Sequence, residues 1–138
     1  MNNLNLSLII ADLKNARLYL LRLHKALLDY EKGRYESQHG RVKTAGEYYN
    51  LVVNHNQFAW LRAMSQLIVE IDEAIDAKLV PLDEETVVAL ARQATQMITI
   101  NEASEFSQRY DAALQKSPDA MFEHIKLTKE LAKFKNEV

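Results

Sequence analysis

The sequence contains no cysteine, only three glycines and only two prolines in 138 residues. Without cysteine the chain can form no disulfide, no thiolate metal site and no cysteine nucleophile, and this usage fits a reducing cytoplasm. Because the two residue types that most disfavour helices are scarce, we expect helix over nearly the whole chain and no sheet. The length predicts one domain, residues 1–138, large enough for its own core.

The chain also lacks a long hydrophobic run and a strong charge of one sign. The apolar residues near the N-terminus stop at Asp12, with no basic region and no cleavage site of the secretory type. No segment approaches the ~18 to 20 apolar residues that a membrane span requires. The formal net charge of -2 gives no overall field that would attract nucleic acid or an anionic membrane. We therefore predict a cytoplasmic protein with neither nucleic-acid nor membrane partners.

Apolar periodicity predicts two long helices that form the spine of the fold. The first is expected from about Asn5 to about Glu36, because its apolar residues recur alternately four and three positions apart. Its buried face is predicted to contain Ile9, Leu13, Ala16, Leu20, Leu23, Leu27 and Tyr30. The second long helix is expected from about Gln57 to Lys78, ending before a proline.

Shorter helices are predicted from residues that favour helix N-termini. The expected N-caps are Thr44, Asp83, Asn101 and Ser117. Thr44 is followed three residues later by Glu47, the spacing of a capping box, and Pro118 suits the first position of a last helix that runs to about Lys135. These segments together predict an all-α, single-domain helical bundle of about five to six helices built on two long helices.

A polar seam borders the apolar face of the segment Phe58–Asp76. At about 100° per residue, Ser65 and Asp72 lie together on the edge of the apolar stripe, and Arg62 lies just beyond them. Because a carboxylate beside a core is costly unless it is paired, we predict that Asp72 is partly buried and pairs with a cation or with backbone amides from another helix. Its removal should then cost about 2 kcal/mol or more. Ser65 and Asp72 are roughly 10 Å apart along the helix axis with no histidine between them, so the seam predicts no catalytic triad.

No catalytic, metal or cofactor site is predicted from the motifs. A di-iron bundle needs two Glu-x-x-His motifs, and this chain has one, Glu36 to His39, at a helix end beside Gly40. His124 lies on an apolar stripe, which is typical of a neutral, hydrogen-bonded core histidine. There is no Gly-x-Ser-x-Gly elbow and no phosphate-binding glycine loop.

Aromatic residues define one candidate small-ligand pocket. Tyr35, Glu36, His39 and Trp60 are expected at one end of the bundle, where aromatic rings beside a carboxylate could bind a small molecule. The simpler interpretation, which we favour, is that amphipathic tyrosines seal this end of the core with their hydroxyls in water. Glu36 and His39 lie at a helix end that should fray, so their substitution is expected to leave stability unchanged.

Two segments resemble a family of short bacterial all-helical proteins of unknown function. The sequence LHKALLDYEKGRYE at Leu23–Glu36 and FAWLRAMSQLIVEID at Phe58–Asp72 are similar to the Leu-His-Lys-x-Leu-Leu helix and the Phe-Ala-Trp-Leu-Arg segment of that family. The similarity extends over nearly the whole chain. Relatives often carry proline where this chain has Ala63, which implies that the second long helix starts near Leu61 instead of Gln57. The resemblance implies a helical fold and no catalytic residues.

The sequence favours a non-enzymatic role. We expect a cytosolic interaction or structural module that forms a homodimer or binds another protein. Ile9 and Leu13 continue the apolar seam to the N-terminus, and Leu6, Ile10 and Leu18 add apolar surface that a dimer would cover. The alternative is a small-ligand or metal-binding bundle, which would leave an enzymatic role open.

Overall fold

The chain forms six α-helices and two 3₁₀ segments, and no strand occurs among residues 3–137, which the computed structural model describes. Side chains are described for residues 5–135. Met1 and Asn2, at the start of the segment that argued against a secretory signal, lie outside the described residues. The helices are α1 Asn3–His39, α2 Ala45–Asn54, α3 Arg62–Asp76, α4 Glu84–Ile98, α5 Glu105–Lys116 and α6 Pro118–Leu131, with 3₁₀ segments Asn56–Leu61 and Ala132–Glu137. The predicted all-α bundle is confirmed.

Helix α1 is the spine of the bundle. Its 37 residues contact α6 most extensively and also pack against α3 and α4. Six of the seven residues of the predicted seam are buried, with Leu13, Leu23 and Leu27 entirely inaccessible to solvent, and Tyr30 is partly buried. Burial of each such leucine contributes roughly 2 kcal/mol. The helix ends at Gly40, whose φ of 89° favours glycine because the residue lacks a Cβ atom.

The predicted second long helix is divided. Asn56–Leu61 is a 3₁₀ segment, and α3 begins only at Arg62, so the prediction of a helix from Gln57 was wrong at its start. The His55 ring Nδ1 accepts the Gln57 N–H at 3.1 Å, which gives this backbone donor in the first turn of the 3₁₀ segment a hydrogen-bond partner. Phe58 is 1% exposed and packs against Val42 and Leu51 in a small second core. The bundle is therefore built on one long helix and several shorter ones, and the observed start of α3 is one residue from the position that the resemblance implied.

Side-chain caps fix the starts of the shorter helices. Thr44, Asp83 and Ser117 each accept a backbone N–H three residues ahead, as predicted. The prediction of Asn101 as the cap of α5 was wrong. Ser104 caps this helix, while the Asn101 side chain accepts the N–H of Ala103 at 2.9 Å and orders the preceding turn.

The C-terminal helix is shorter than predicted. α6 ends at Leu131 and continues as a 3₁₀ segment, in which Phe134 is 5% exposed and belongs to the main buried cluster. The main buried cluster receives side chains from every α-helix except α2. None of the described helices has the length and apolar character needed to cross a membrane.

Much of the apolar surface that suggested a dimer is covered within one chain. Ile9 and Leu13 are buried, and Leu6 and Ile10 pack against the main core. Leu18 remains 44% exposed. The surface available to a second copy along α1 is therefore smaller than the sequence suggested.

Candidate functional site

A polar contact network surrounds the carboxylate of Glu31, which is 1% exposed and lies on the buried side of α1. Arg34 Nη1 donates to both carboxylate oxygens at 3.0 and 3.1 Å. Gln57 Nε2 donates to Oε2 at 2.9 Å, and Trp60 Nε1 donates to Oε1 at 3.1 Å. We call these four residues the Glu31 cluster. A buried carboxylate is costly by several kcal/mol unless it accepts hydrogen bonds of this kind.

The 3₁₀ segment explains why two donors reach the same carboxylate. In a 3₁₀ helix, side chains three residues apart lie on one side, so Gln57 and Trp60 both face Glu31. Gln57 Nε2 also donates to the Glu31 carbonyl oxygen at 3.1 Å. On its other side the Trp60 ring contacts Phe106 of α5, with ring centroids 5.5 Å apart. The Glu31 cluster therefore joins α1, the 3₁₀ segment and α5.

A cleft of about 280 Å³ opens beside this cluster, between α1 and α5. We call it the α1–α5 cleft; it is lined by Tyr30, Glu31, Arg34, Gln108, Arg109, Ala112 and Lys116. Arg34 and Arg109 have side chains 48% and 43% exposed, so both are in contact with solvent at the cleft. Arg109 Nε donates to Glu105 at 3.2 Å. The lining thus combines three cations with one buried carboxylate.

A cavity of about 510 Å³ lies between α4 and α6. We call it the α4–α6 groove. Its apolar walls include Val88, Ala91, Ile98, Leu131 and Phe134. Ligand pockets of folded proteins typically measure roughly 300–1,000 Å³ and are mainly apolar with a few polar groups, so the groove falls within this class.

His124 supplies a directed polar group to the α4–α6 groove. Tyr110, which is fully buried, lies with its hydroxyl 2.6 Å from His124 Nδ1. Burial lowers the pKa of His124 and raises the pKa of Tyr110, so both groups are neutral at pH 7. The buried Tyr110 hydroxyl has no other acceptor among the described residues, so it donates to Nδ1, and the histidine proton is then on Nε2. Nε2 has no hydrogen-bond partner within the described part of the chain. The prediction of a neutral, hydrogen-bonded His124 is confirmed.

The remaining polar groups of the groove differ in what they offer a ligand. The hydroxyls of Thr95 and Thr128 donate to carbonyl oxygens one turn earlier, at 2.9 and 2.8 Å, so their methyl groups add to the apolar wall. Arg92 and Lys135 lie at the rim and form no ion pair with any residue in the described ranges. None of the residues that line the groove is acidic.

The structure separates the three residues of the predicted polar seam. Asp72 Oδ1 accepts from Arg17 Nη1 of α1 at 3.3 Å, so the expected cation from another helix is Arg17. The Asp72 side chain is 43% exposed, so we now expect its removal to cost less than the predicted value of about 2 kcal/mol, because exposed pairs contribute about 0.2–1 kcal/mol. Arg62 and Ser65 are exposed and line a different cleft of about 190 Å³ with His24.

The predicted aromatic pocket is only partly assembled. Tyr35 and His39 lie with ring centroids 4.5 Å apart, and His55 approaches Tyr35 at 5.4 Å. Trp60 does not join them, because its indole N–H is directed to Glu31. Glu36 Oε2 accepts the N–H of Val42 at 2.8 Å, which fixes the connection to α2. Glu36 therefore makes a contact that the prediction of unchanged stability did not take into account.

Metal binding receives no support from side-chain grouping. Within the described residues, no group of three or more histidine, aspartate or glutamate side chains is placed to bind an ion. His39 and His55 are near one another, with ring centroids 6.4 Å apart, but no carboxylate completes a ligand set there.

Sequence reasoning missed the Glu31 cluster although a signal was present. Glu31 follows Leu27 by four residues, so it continues the buried stripe of α1 with a charged residue. A carboxylate at the helical spacing of core leucines is expected to be buried, so it predicts that a neighbouring segment supplies hydrogen-bond donors to it. The α4–α6 groove had no comparable signal, because its shape depends on how two helices pack.

No protein-family model, characterised protein or solved structure matches this chain significantly. The family of short bacterial helical proteins that the sequence resembles therefore stays a prediction.

Proposed function

We propose that this protein is a non-catalytic, cytoplasmic helical bundle that binds a small apolar molecule carrying a carboxylate, and that the α4–α6 groove is the binding site. The observation that carries this proposal is the combination of an apolar cavity of about 510 Å³ with His124 Nε2 as a donor and two cations at the rim. This corresponds to the alternative that the sequence left open, at a different place from the predicted aromatic pocket. The cytoplasmic setting rests on the absence of cysteine.

The groove has separate places for the two parts of such a ligand. Val88, Ile98 and Leu131 provide walls for an aliphatic chain, whose transfer from water contributes about 0.8 kcal/mol per buried methylene. Arg92 and Lys135 provide charge for a carboxylate, and the absence of acidic lining residues leaves this charge uncompensated within the groove. A medium-chain fatty acid has both features.

Calorimetric titration of the purified protein with dodecanoate, and with dodecanol as the uncharged match, tests the proposal. We expect one dodecanoate per chain and binding of dodecanol weaker by about tenfold or more, the loss of a charge-assisted contact worth ~1.4 kcal/mol. Thr95→Trp places a large ring in the groove and should abolish binding. Gln93→Trp is the matched control, because Gln93 is exposed on the same helix and does not line the groove. The proposal fails if the folded wild type binds neither dodecanoate nor dodecanol. It also fails if Thr95→Trp and Gln93→Trp bind dodecanoate with equal affinity.

A second candidate function, the protein-interaction module favoured by the sequence, is supported by a different observation. Leu79 and Val80 are adjacent in the connection between α3 and α4, and they are 97% and 71% exposed. These two neighbouring apolar side chains are accessible to another chain, and covering them would remove apolar surface from water. Light scattering of the wild type and of the double variant Leu79→Ser, Val80→Ser would test a homodimer. A monomer mass for the wild type would count against self-association.

A further inference from the structure

We infer that the α1–α5 cleft is a binding site for a small phosphate-bearing anion, with Arg34, Arg109 and Lys116 as the residues that contact it. This inference concerns a separate cavity and does not rest on the α4–α6 groove. The cleft measures about 280 Å³, the size of a small metabolite or of the phosphorylated end of a larger molecule.

The Glu31 cluster orients one of these cations. Both hydrogen bonds from Arg34 to Glu31 use Nη1, so the guanidinium is positioned by a carboxylate that is itself fixed by Gln57 and Trp60. Arg34 Nε and Nη2 have no partner among the described residues, and they are the two donors that bind an oxyanion side by side. The ring of Tyr30 lies 5.8 Å from the Arg34 guanidinium carbon and further restricts its position.

Helix α5 supplies the opposing cations. Arg109 uses Nε to bond Glu105, and its terminal nitrogens have no partner among the described residues. Lys116 forms no ion pair in the described part of the chain, and it lies in the last turn of α5.

The charge balance favours an anion. Three cations face one buried carboxylate, so the lining carries a surplus of two positive charges, or of one when Glu105 is included. A phosphate group carries about -1.5 to -2 at neutral pH and has three oxygens that can accept from cations lining the same cleft. Two adjacent arginine donors match the paired oxygens of a phosphate group, and a halide ion has no such pair of acceptors, so we assign phosphate and not a simple halide.

Titration with inorganic phosphate and pyrophosphate tests the inference, at an ionic strength held constant with sodium chloride. Trp60 is the only tryptophan of the chain and bonds the carboxylate that orients Arg34, so its fluorescence reports on the cleft. We expect a saturable change with pyrophosphate and a weaker one with phosphate. Citrate serves as the carboxylate arm, and equal binding of citrate would overturn the assignment of phosphate.

Variants separate the cleft from general charge attraction. Arg109→Gln and Lys116→Gln remove exposed cations without disturbing the core, and each should weaken pyrophosphate binding by about threefold or more. Arg41→Gln is the matched control, because Arg41 is exposed and lies outside the cleft. The inference fails if the wild type shows no saturable response, or if Arg41→Gln loses as much affinity as the two cleft variants. Dodecanoate binding should be unchanged in all three, so this failure is distinguishable from failure of the proposed function.

Discussion

Glu31 and Asp72 are both carboxylates on helices that face a neighbouring element, but they differ in solvent exposure and in the number of side chains that donate to them. Glu31 is 1% exposed and accepts from three side chains, Arg34, Gln57 and Trp60. The Asp72 side chain is 43% exposed and accepts from Arg17 alone, at 3.3 Å.

The difference shows that position relative to the core, and not the presence of a partner, determines what a carboxylate contributes. Water can replace Arg17 at Asp72, so losing that pair costs little. Glu31 is 1% exposed, so water does not readily replace a donor that is lost there, and each lost hydrogen bond costs more. Glu31 therefore fixes the 3₁₀ segment to α1, whereas Asp72 adds a modest contact between α1 and α3.

The largest expected effect is that of Glu31→Ala. This change leaves the indole N–H of Trp60 and the amide of Gln57 without their acceptor and removes the charge that compensates Arg34. We expect the free energy of unfolding to fall by about 2 kcal/mol or more, because the donors of Gln57 and Trp60 lose their acceptor, whereas the half-exposed Arg34 can be hydrated. Chemical denaturation at pH 7 measures this cost. Glu70→Ala, an exposed glutamate on α3, is the control and should change stability little. A cost for Glu31→Ala below about 1 kcal/mol would show that the buried Glu31 contributes no more to stability than the exposed Asp72.

The sequence predicted the fold better than it predicted these sites, for physical reasons. The buried stripe of α1 and the caps at Thr44, Asp83 and Ser117 depend on local spacing, and all were found. The division of the second long helix was missed, because Gln57 and Trp60 adopt the 3₁₀ geometry next to a distant residue, Glu31. Helix propensity contains no information about that contact.

The candidate sites depended even more on tertiary contacts. The predicted seam placed Asp72 correctly at a helix edge, but Arg17 is 55 residues away in sequence and could not be named. Trp60 was assigned to a pocket with Tyr35 and His39 because of its sequence proximity to the aromatic residues, whereas its N–H required a buried acceptor. The α4–α6 groove has no sequence motif, because its walls are ordinary core side chains of two helices.

An intermediate effect is expected for Trp60→Phe. The phenyl ring retains the contact with Phe106 but lacks the indole N–H, so Glu31 Oε1 keeps only Arg34 as a donor. A buried acceptor that loses a partner costs about 1–2 kcal/mol. Denaturation followed by circular dichroism measures it, since the variant has no tryptophan. In the double variant with Glu31→Ala, the two costs should not add, because both changes remove the same hydrogen bond. Additive costs would show that Trp60 stabilises the fold by packing alone.

The smallest expected effect is that of Asp72→Ala. The pair with Arg17 is partly exposed, with side chains 27% and 43% accessible, so solvent screens the attraction and can hydrate either partner after the other is removed. We expect a loss of about 0.2–1 kcal/mol, below the value that the sequence suggested. A double-mutant cycle with Arg17→Ala isolates the coupling between the two side chains, which should decrease further in high salt. A coupling of about 2 kcal/mol that persists in high salt would mean that Asp72 resembles Glu31, because only a pair shielded from water is that strong and that insensitive to salt.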